Sequence, residues 1–397
     1  MSILVLNLLI YKFQKMEPKP QRLLSLDFFR GLTVATMILV NNPGDWGHIY
    51  APLEHAEWNG CTPTDLVFPF FLFIVGVSIA YAMGSKKNDP KSHGQILKKA
   101  FRRMLTLFAL GFILAIFPRN FQDFSLVESL KHVRIPGVLQ RISVVFFIST
   151  LIFLKQSEKS IFRTIILILV AYWALMMFVP VPDFGPANLE KETNLGAWLD
   201  RTLLTEAHLW KSAKTWDPEG ILSTLPAIGT CLFGVLVGVY LKRKDVEAAT
   251  KVAWLFAVGL LCVMAGLLWD LEFPINKSLW TSSYVLYTGG LATIGLALSY
   301  WIIDINQYNR FTKPFVVYGV NAITVFFLTG LTPRLFNMIK IDMPDGSKLG
   351  ALSWFYQKFF PPYFSPINAS LAYAIVFILF WYVILWIMYK KNIIIKV

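Results

Sequence analysis

His55 lies in His55-Ala56-Glu57-Trp58-Asn59-Gly60, a polar loop held between two apolar runs that are each long enough to enter a membrane. Imidazole is the side chain best suited to take and return a proton near neutral pH. Hydrocarbon offers titratable and amide groups no partners, so their gathering at a membrane boundary points to chemistry or transport. Upstream, Asn41 and Asn42 close the first apolar run, and their amides supply the donors an oxyanion needs. Glu54 and Glu57 flank the histidine and are placed to orient or polarise it. A plainer reading makes this an interfacial loop with Trp46 and Trp58 as aromatic-belt anchors, and His48 competes for any proton-transfer role. Downstream, Thr62-Pro63-Thr64-Asp65 reads as a helix start. Thr62 is its N-cap, Pro63 its first residue, and Asp65 a charge that favours the helix dipole.

Further groupings put charge where an apolar chain would avoid it. In Leu26-Asp27-Phe28-Phe29-Arg30-Gly31, Asp27 and Arg30 fall three apart on one helix face. They form a salt bridge, or Arg30 meets a phosphate or carboxylate of a ligand; Gly31 permits close helix approach. Arg134-Ile135-Pro136-Gly137-Val138-Leu139-Gln140-Arg141 sets two arginines a heptad apart, with Gln140, at the head of a span. Such arginines either pair with outer-loop acids or hold an anionic ligand. Trp216-Asp217-Pro218-Glu219-Gly220 brings two carboxylates to another helix start, where capping is the default. Asn276-Lys277-Ser278-Leu279-Trp280 and the in-span Asn321 complete the set, and a buried Asn in a span needs a hydrogen-bond partner. There is no P-loop, dinucleotide fingerprint, Gly-x-Ser-x-Gly elbow or metal-type His/Cys spacing, so no metal is expected.

The elements that position these residues are membrane helices. The chain is 56% hydrophobic and 15% charged, with mean hydropathy +0.55, far from the balance of a soluble domain. Residues 66–85, 164–182, 220–241, 252–269, 278–303, 314–333 and 359–389 lack charge altogether. Most match the roughly 20 residues that cross about 30 Å of hydrocarbon. Weaker spans around 27–42, 104–118 and 135–154 bring the predicted total to ten, in one all-α polytopic membrane domain over 22–397. Two-residue alternation is missing, which excludes a β-barrel. With residues 1–21 as a cytoplasmic segment and every span crossing, inner segments hold 23 of 37 basic residues and 7 of 24 acids. That is the positive-inside asymmetry; it explains the net charge of +13 without nucleic acid, puts both termini in the cytoplasm and puts His55 outside. The three cysteines imply no disulfide framework. Residues 3–10 are too short to cross and no cleavage site follows, so no signal peptide is expected; Met16 is an alternative start. The long loops 41–65, 180–219 and 332–366 all face outward, which is where the working surface should be.

In order along the chain, Ser25-Leu26-Asp27-Phe28-Phe29-Arg30-Gly31, the His55–Gly60 loop with Asp65-Leu66-Val67-Phe68-Pro69, the Arg134-to-Arg141 motif and Asp217-Pro218-Glu219-Gly220-Ile221-Leu222 form a recognisable set. Together with the motif at 276–280 they resemble the heparan-α-glucosaminide N-acetyltransferase family, including its bacterial glucosamine N-acetyltransferase-like members, from about residue 22 onward. The resemblance implies transfer of acetyl from cytosolic acetyl-CoA, a co-substrate, to the amine of a glucosamine-type sugar across the membrane. It implies that His55 is catalytic and that Asn41, or Asn42 in a loop slightly longer here, is the helix-end asparagine. Arg30, Arg134, Gln140 and Arg141 become the expected contacts of CoA. Glu54, Trp58, Asn59, Asp217 and Glu219 become those of the sugar. With no lumenal domain ahead of the first matched helix, the expectation is a compact version in the bacterial inner membrane. Its partners would be an amino sugar or other glycan and the lipid bilayer, and a homodimer is compatible with this. Whether His55 acts as a base or carries the acetyl itself stays open. A glycan O-acyltransferase, and a sugar or muropeptide transporter without acyl transfer, are the competing readings.

Overall fold

The computed structural model describes residues 23–117 and 125–395. The expected segment 1–21, Arg22, Pro118 at the end of one predicted span, and Lys396 lie outside the described residues. The helices are α1 (Leu24–Asn41), α2 (Val67–Met83, entered through a 3-10 turn at Pro63–Leu66), α3 (Pro90–Ile116), the short α4 (Leu126–Lys131), α5 (Val138–Lys155), α6 (Glu158–Phe178) and α7 (Leu195–Leu204). They continue with α8 (Thr224–Lys242), α9 (Ala248–Asp270), α10 (Ser282–Tyr300), α11 (Lys313–Val320), α12 (Ala322–Met338), α13 (Ala351–Phe359) and α14 (Pro366–Lys390). A small hairpin of β1 (Lys340–Asp342) and β2 (Lys348–Gly350) follows α12.

The architecture is that of an all-α polytopic membrane protein. Among the described residues eight helices are long and apolar enough to cross a bilayer, and α11 with α12, bent by 80° at Asn321, makes a ninth if counted as one span. The remaining predicted span is α3. Its 27 residues would rise about 40 Å, but Lys98, Lys99, Arg102 and Arg103 make its first half too polar to count on composition. Only Ala100, Leu107 and Gly111 of this helix are buried; Lys98, Lys99 and Arg102 are exposed along an otherwise apolar shaft, while Arg103 turns to the Phe146 ring (4.8 Å).

Close backbone approach sets the packing, as expected where helices gain little from excluding water. A Cβ on Gly31 would lie 1.6 Å from the carbonyl oxygen of Phe315, and one on Gly76 1.9 Å from that of Cys231. Gly31 therefore locks α1 to α11, and Gly76 locks α2 to α8. The in-span Asn321 finds its partner in the chain beyond α14. Its amide donates to the Ile393 carbonyl (3.1 Å) and accepts from the Ile395 N–H (3.0 Å).

Polar contacts sort the loops to two ends of the bundle. At one end Gly60 N–H donates to Ile275 O, Trp58 Nε1 to Leu189 O, and Ile135 N–H to His208 O. Segments 42–65, 125–137, 179–223 and 271–281 thus meet there. At the other end the N–H groups of Leu24 and Ser25 donate to Asp304, and Lys242 donates to the carbonyls of Ala80 and Tyr81.

Candidate active site

Asp65, at the mouth of α2, organises His55. Its Oδ2 accepts from the Thr62 N–H (3.0 Å), the Thr62 hydroxyl (3.1 Å) and the Ala56 N–H (3.0 Å), the reciprocal cap expected of a helix start. Its Oδ1 lies 2.6 Å from His55 Nδ1. An ionised carboxylate only accepts, so Nδ1 carries the proton and the Nε2 lone pair is left free. Tyr284 of α10 donates to the Asp65 carbonyl (2.5 Å), tying the cap to the core. The sequence assigns Asp65 to capping; in the structure it caps and orients the histidine at once. His48 instead pairs with Asp45 (2.7 Å) away from this group.

Lys277 Nζ stands 3.1 Å from His55 Nε2, 3.2 Å from Nδ1 and 3.9 Å from Asp65 Oδ1. In the ring plane, a point so close to both nitrogens would overlap Cε1. The ammonium therefore sits over the face of the imidazole and leaves the in-plane lone pair open. Burial pulls Lys277 below the ordinary lysine range, with the charges of Glu219 and Asp65 opposing. The turn that carries it is fixed by the fully buried Asn276. Asn276 accepts from the Leu279 N–H (2.8 Å) and donates to Asn59 Oδ1 (3.1 Å), while Gly60, at φ +104°, makes the tight corner opposite. Asn59 is thus held by structure.

Beside this group lies the second constellation. Arg134 donates through Nε and Nη2 to Asp217 (2.8 and 2.6 Å), and through Nη2 to Glu219. Of the two readings open for Arg134, pairing with outer-loop acids is the observed one. Burial disfavours the guanidinium, but Glu219 and Asp217 outweigh it and hold the charge more firmly than usual. Arg141 is buried in α5 with Nη2 donating to Gly220 O (3.1 Å) and Ser223 Oγ (2.5 Å), its plane against the Trp280 ring. Its Nε and Nη1 have no partner among the described residues, an unmet demand for an acceptor. Gln140 packs against Gly111 and Gly137 where α3 meets α5. Asp200 of α7, unremarked in the sequence, accepts from the Ile221 N–H (2.8 Å), and burial pushes its carboxyl up to about 7.

Toward solvent, Trp58 meets Trp216 edge-on (ring centres 5.1 Å), and Trp216 meets Trp210 (5.5 Å). Glu54 and Glu57 are exposed, Glu57 within 3.5 Å of Lys191. Asn41 ends α1 with its side chain exposed and without a hydrogen-bond partner among the described residues, whereas Asn42 donates back to Ile38 O (2.9 Å). Arg30 is in the other half of the bundle. It donates to Asp27 (3.1 Å) and Ser78 (3.0 Å) and, with Arg103 and Asn321, lines a cavity of about 380 Å³ bounded mainly by Phe71, Ile74, Ile79 and Phe146. The site residues therefore form two sets: Arg30 near the opposite end, and all the others at or near the His55 end.

A helical membrane bundle with a carboxylate-oriented histidine at one end and a cavity lined by Arg30 and Arg103 toward the other is a polytopic membrane protein with a geometry suited to proton transfer. Residues 22–273 match the family model described as heparan-alpha-glucosaminide N-acetyltransferase, catalytic. The human heparan-alpha-glucosaminide N-acetyltransferase is 32% identical over 360 residues, covering 79% of this chain and 53% of the human protein. The mouse protein of the same name is 32% identical over 364 residues, covering 80% of this chain and 54% of its own length. The chain belongs to the heparan-alpha-glucosaminide N-acetyltransferase family, and it spans about half the length of these relatives.

Proposed function

We propose that this protein transfers the acetyl group of cytosolic acetyl-CoA to the amine of a glucosamine-type sugar on the far side of the membrane. The observation that carries this reading is the His55–Asp65 pair at 2.6 Å, whose in-plane Nε2 stays open at the end of the bundle opposite the cavity mouth. The sidedness rests on charge: Lys86, Lys87, Arg102, Arg103, Lys242 and Arg243 cluster at the cavity end, as cytoplasmic segments do. The bacterial inner membrane is the corresponding location.

Arg30 and Arg103 receive the anionic part of CoA, and the acyl arm extends through the apolar cavity toward His55. The sugar binds among Trp58, Trp216 and the exposed Glu54 and Glu57. Nε2 takes a proton from the amine as it attacks the thioester carbon, and Asp65 offsets the positive charge that forms on the ring. The exposed amide of Asn41 and the unengaged Nε–H and Nη1–H of Arg141 are the donors available to the oxyanion. Collapse breaks the C–S bond, and the thiolate leaves protonated as free CoA.

Purified protein in nanodiscs with acetyl-CoA and glucosamine should release thiol, and His55→Ala should not. N-acetylglucosamine in place of glucosamine removes the amine but keeps the hydroxyls. Equal thiol release from both sugars would overturn N-transfer in favour of O-transfer, and none from either would overturn acyl transfer.

A further inference from the structure

We propose that Lys277 occupies the place of the acceptor amine and is itself acetylated when the enzyme holds acetyl-CoA without a sugar. The inference rests on the acyl-transfer reading above and on the placement of one atom. Nζ lies 3.1 Å from the ring nitrogen that handles the acceptor's proton, which places an amine directly beside the reacting group. It lies over the imidazole face. An acyl group bonded to Nε2 and conjugated with the ring holds its carbonyl in the plane of that ring. A nucleophile adds to a carbonyl from above its plane, so the face Lys277 covers is a face from which an amine reaches an acetyl carried on Nε2.

The lysine also has the chemistry. Its surroundings are partly closed, with 19% of the side chain exposed, and burial favours the neutral amine. The turn from Asn276 to Thr281 holds it in place, with the Trp280 N–H donating to the Lys277 carbonyl (3.1 Å) and the Thr281 N–H to that of Asn276 (3.1 Å). In the step itself Nζ forms a bond to the acyl carbon. The bond from that carbon to the CoA sulphur breaks, or the bond to Nε2 if His55 carries the group. The net change is one ammonium and one acetyl-CoA giving one acetamide, free CoA and a proton. The product amide is too stable to pass the acetyl on, and it covers the ring, so an idle enzyme inactivates itself. A bound sugar amine displaces Lys277 and protects it.

The test is peptide mass spectrometry on the full protein after incubation with acetyl-CoA alone, with acetyl-CoA plus glucosamine, and in the His55→Ala variant. The expected result is an acetyl group on Lys277 that resists neutral hydroxylamine, unlike an acyl-imidazole. Its occupancy should exceed that of the exposed Lys211 by at least about tenfold, consistent with a positioned amine. Glucosamine should suppress it, His55→Ala should reduce it to the level of Lys211, and activity lost on pre-incubation should track it. Glucosamine-dependent thiol release with Lys277 unmodified, or modified no faster than Lys211, overturns the inference and leaves the proposed function standing. Absence of thiol release with any amine overturns both.

Discussion

Replacing Asp65 by Asn tests the orientation of His55 most directly. The carboxylate uses Oδ2 for three donors from the loop and Oδ1 for Nδ1. An amide that keeps its oxygen on the loop side must turn its NH₂ toward Nδ1, which then has to accept. The ring proton moves to Nε2, and the lone pair needed to take the amine's proton is gone. Where a His–Asp pair acts in this way the change lowers turnover by about 10⁴-fold, roughly 5 kcal/mol of barrier. Here 48% of the His55 side chain is exposed, so water competes for Nδ1 and restores part of the active tautomer. We therefore expect a fall in kcat of about 10²–10⁴-fold with KM for acetyl-CoA nearly unchanged. Thiol release under saturating glucosamine measures this, and a thermal melt of the nanodisc-held protein checks that the cap survives. If Asp65→Asn keeps turnover within about threefold of the parent while His55→Ala is inactive, the reasoning from the tautomer is wrong.

Four other perturbations have defined outcomes. Arg134→Met leaves Asp217 and Glu219 buried without their cation, a loss of about 3–5 kcal/mol that should appear as a lower melting midpoint; Glu219→Gln in the same background should recover part of it. Arg103→Gln should raise KM for acetyl-CoA about tenfold or more without moving KM for glucosamine, as loss of a contact to a charged group would. Gly31→Ala drives a methyl to 1.6 Å from the Phe315 carbonyl, so α1 and α11 must part; we expect about 3 kcal/mol or more of destabilisation, read as loss of monodisperse protein on size exclusion. Asp200 has a folded pKa near 7, raised above its unfolded value, so its drain on stability is absent at low pH and grows as pH rises from about 4 through 7. Asp200→Asn should therefore raise the melting midpoint more at pH 8 than at pH 5, and an equal gain at both would contradict the raised pKa.

Much of this was legible because lipid imposes one rule on every residue it touches. The charge-free runs became helices, six of the seven as single ones, with ends up to seven residues from those predicted, and the His55 loop, the Arg134 motif and the Asp217–Glu219 pair converged on one end. The span at 104–118 was the least legible, since a helix whose first half carries five lysines and arginines satisfies the length rule and fails the apolar one. The bend at Asn321 was hidden for a related reason: composition averages over a break, and only the tail at Ile393 and Ile395 explains how the amide is satisfied. Within the site, Asp65 could have been found. It lies ten residues from His55, and its capping role left one carboxylate oxygen unassigned. Lys277 stood inside the marked motif at 276–280, but its pairing with His55, 222 residues away, follows from no spacing rule, and for Asp200 nothing adjacent in the chain marks it.

The shape of the cavity fits the proposed acyl carrier better than a sugar as the molecule that travels. Along α2 it is lined by Phe71, Ile74, Val75, Ser78, Ile79, Ala82 and Met83, one helix face over about 18 Å. Among the described residues its polar side chains are Arg30, Ser78, Arg103 and Asn321, so a sugar moving through would leave many of its hydroxyls unpaired at about 1–3 kcal/mol each. An aliphatic chain with an anionic head meets no such cost, because its head stays with the arginines. From Phe71 the helix needs only six more residues, about 9 Å, to reach Asp65. The side chains across that gap are aromatic: Phe68 against Trp280 (ring centres 5.0 Å) and Trp280 against Tyr284 (5.4 Å). Trp280 holds a left-handed backbone, φ +53°, uncommon for so bulky a residue and kept where surrounding contacts over-determine it. Those contacts are the Thr230 hydroxyl that takes its indole N–H (3.1 Å) and the Arg141 guanidinium on its face. A thin aromatic wall therefore separates an apolar conduit from an oriented histidine. That arrangement suits delivery of an acyl carbon through the membrane and opposes passage of a hydrated sugar.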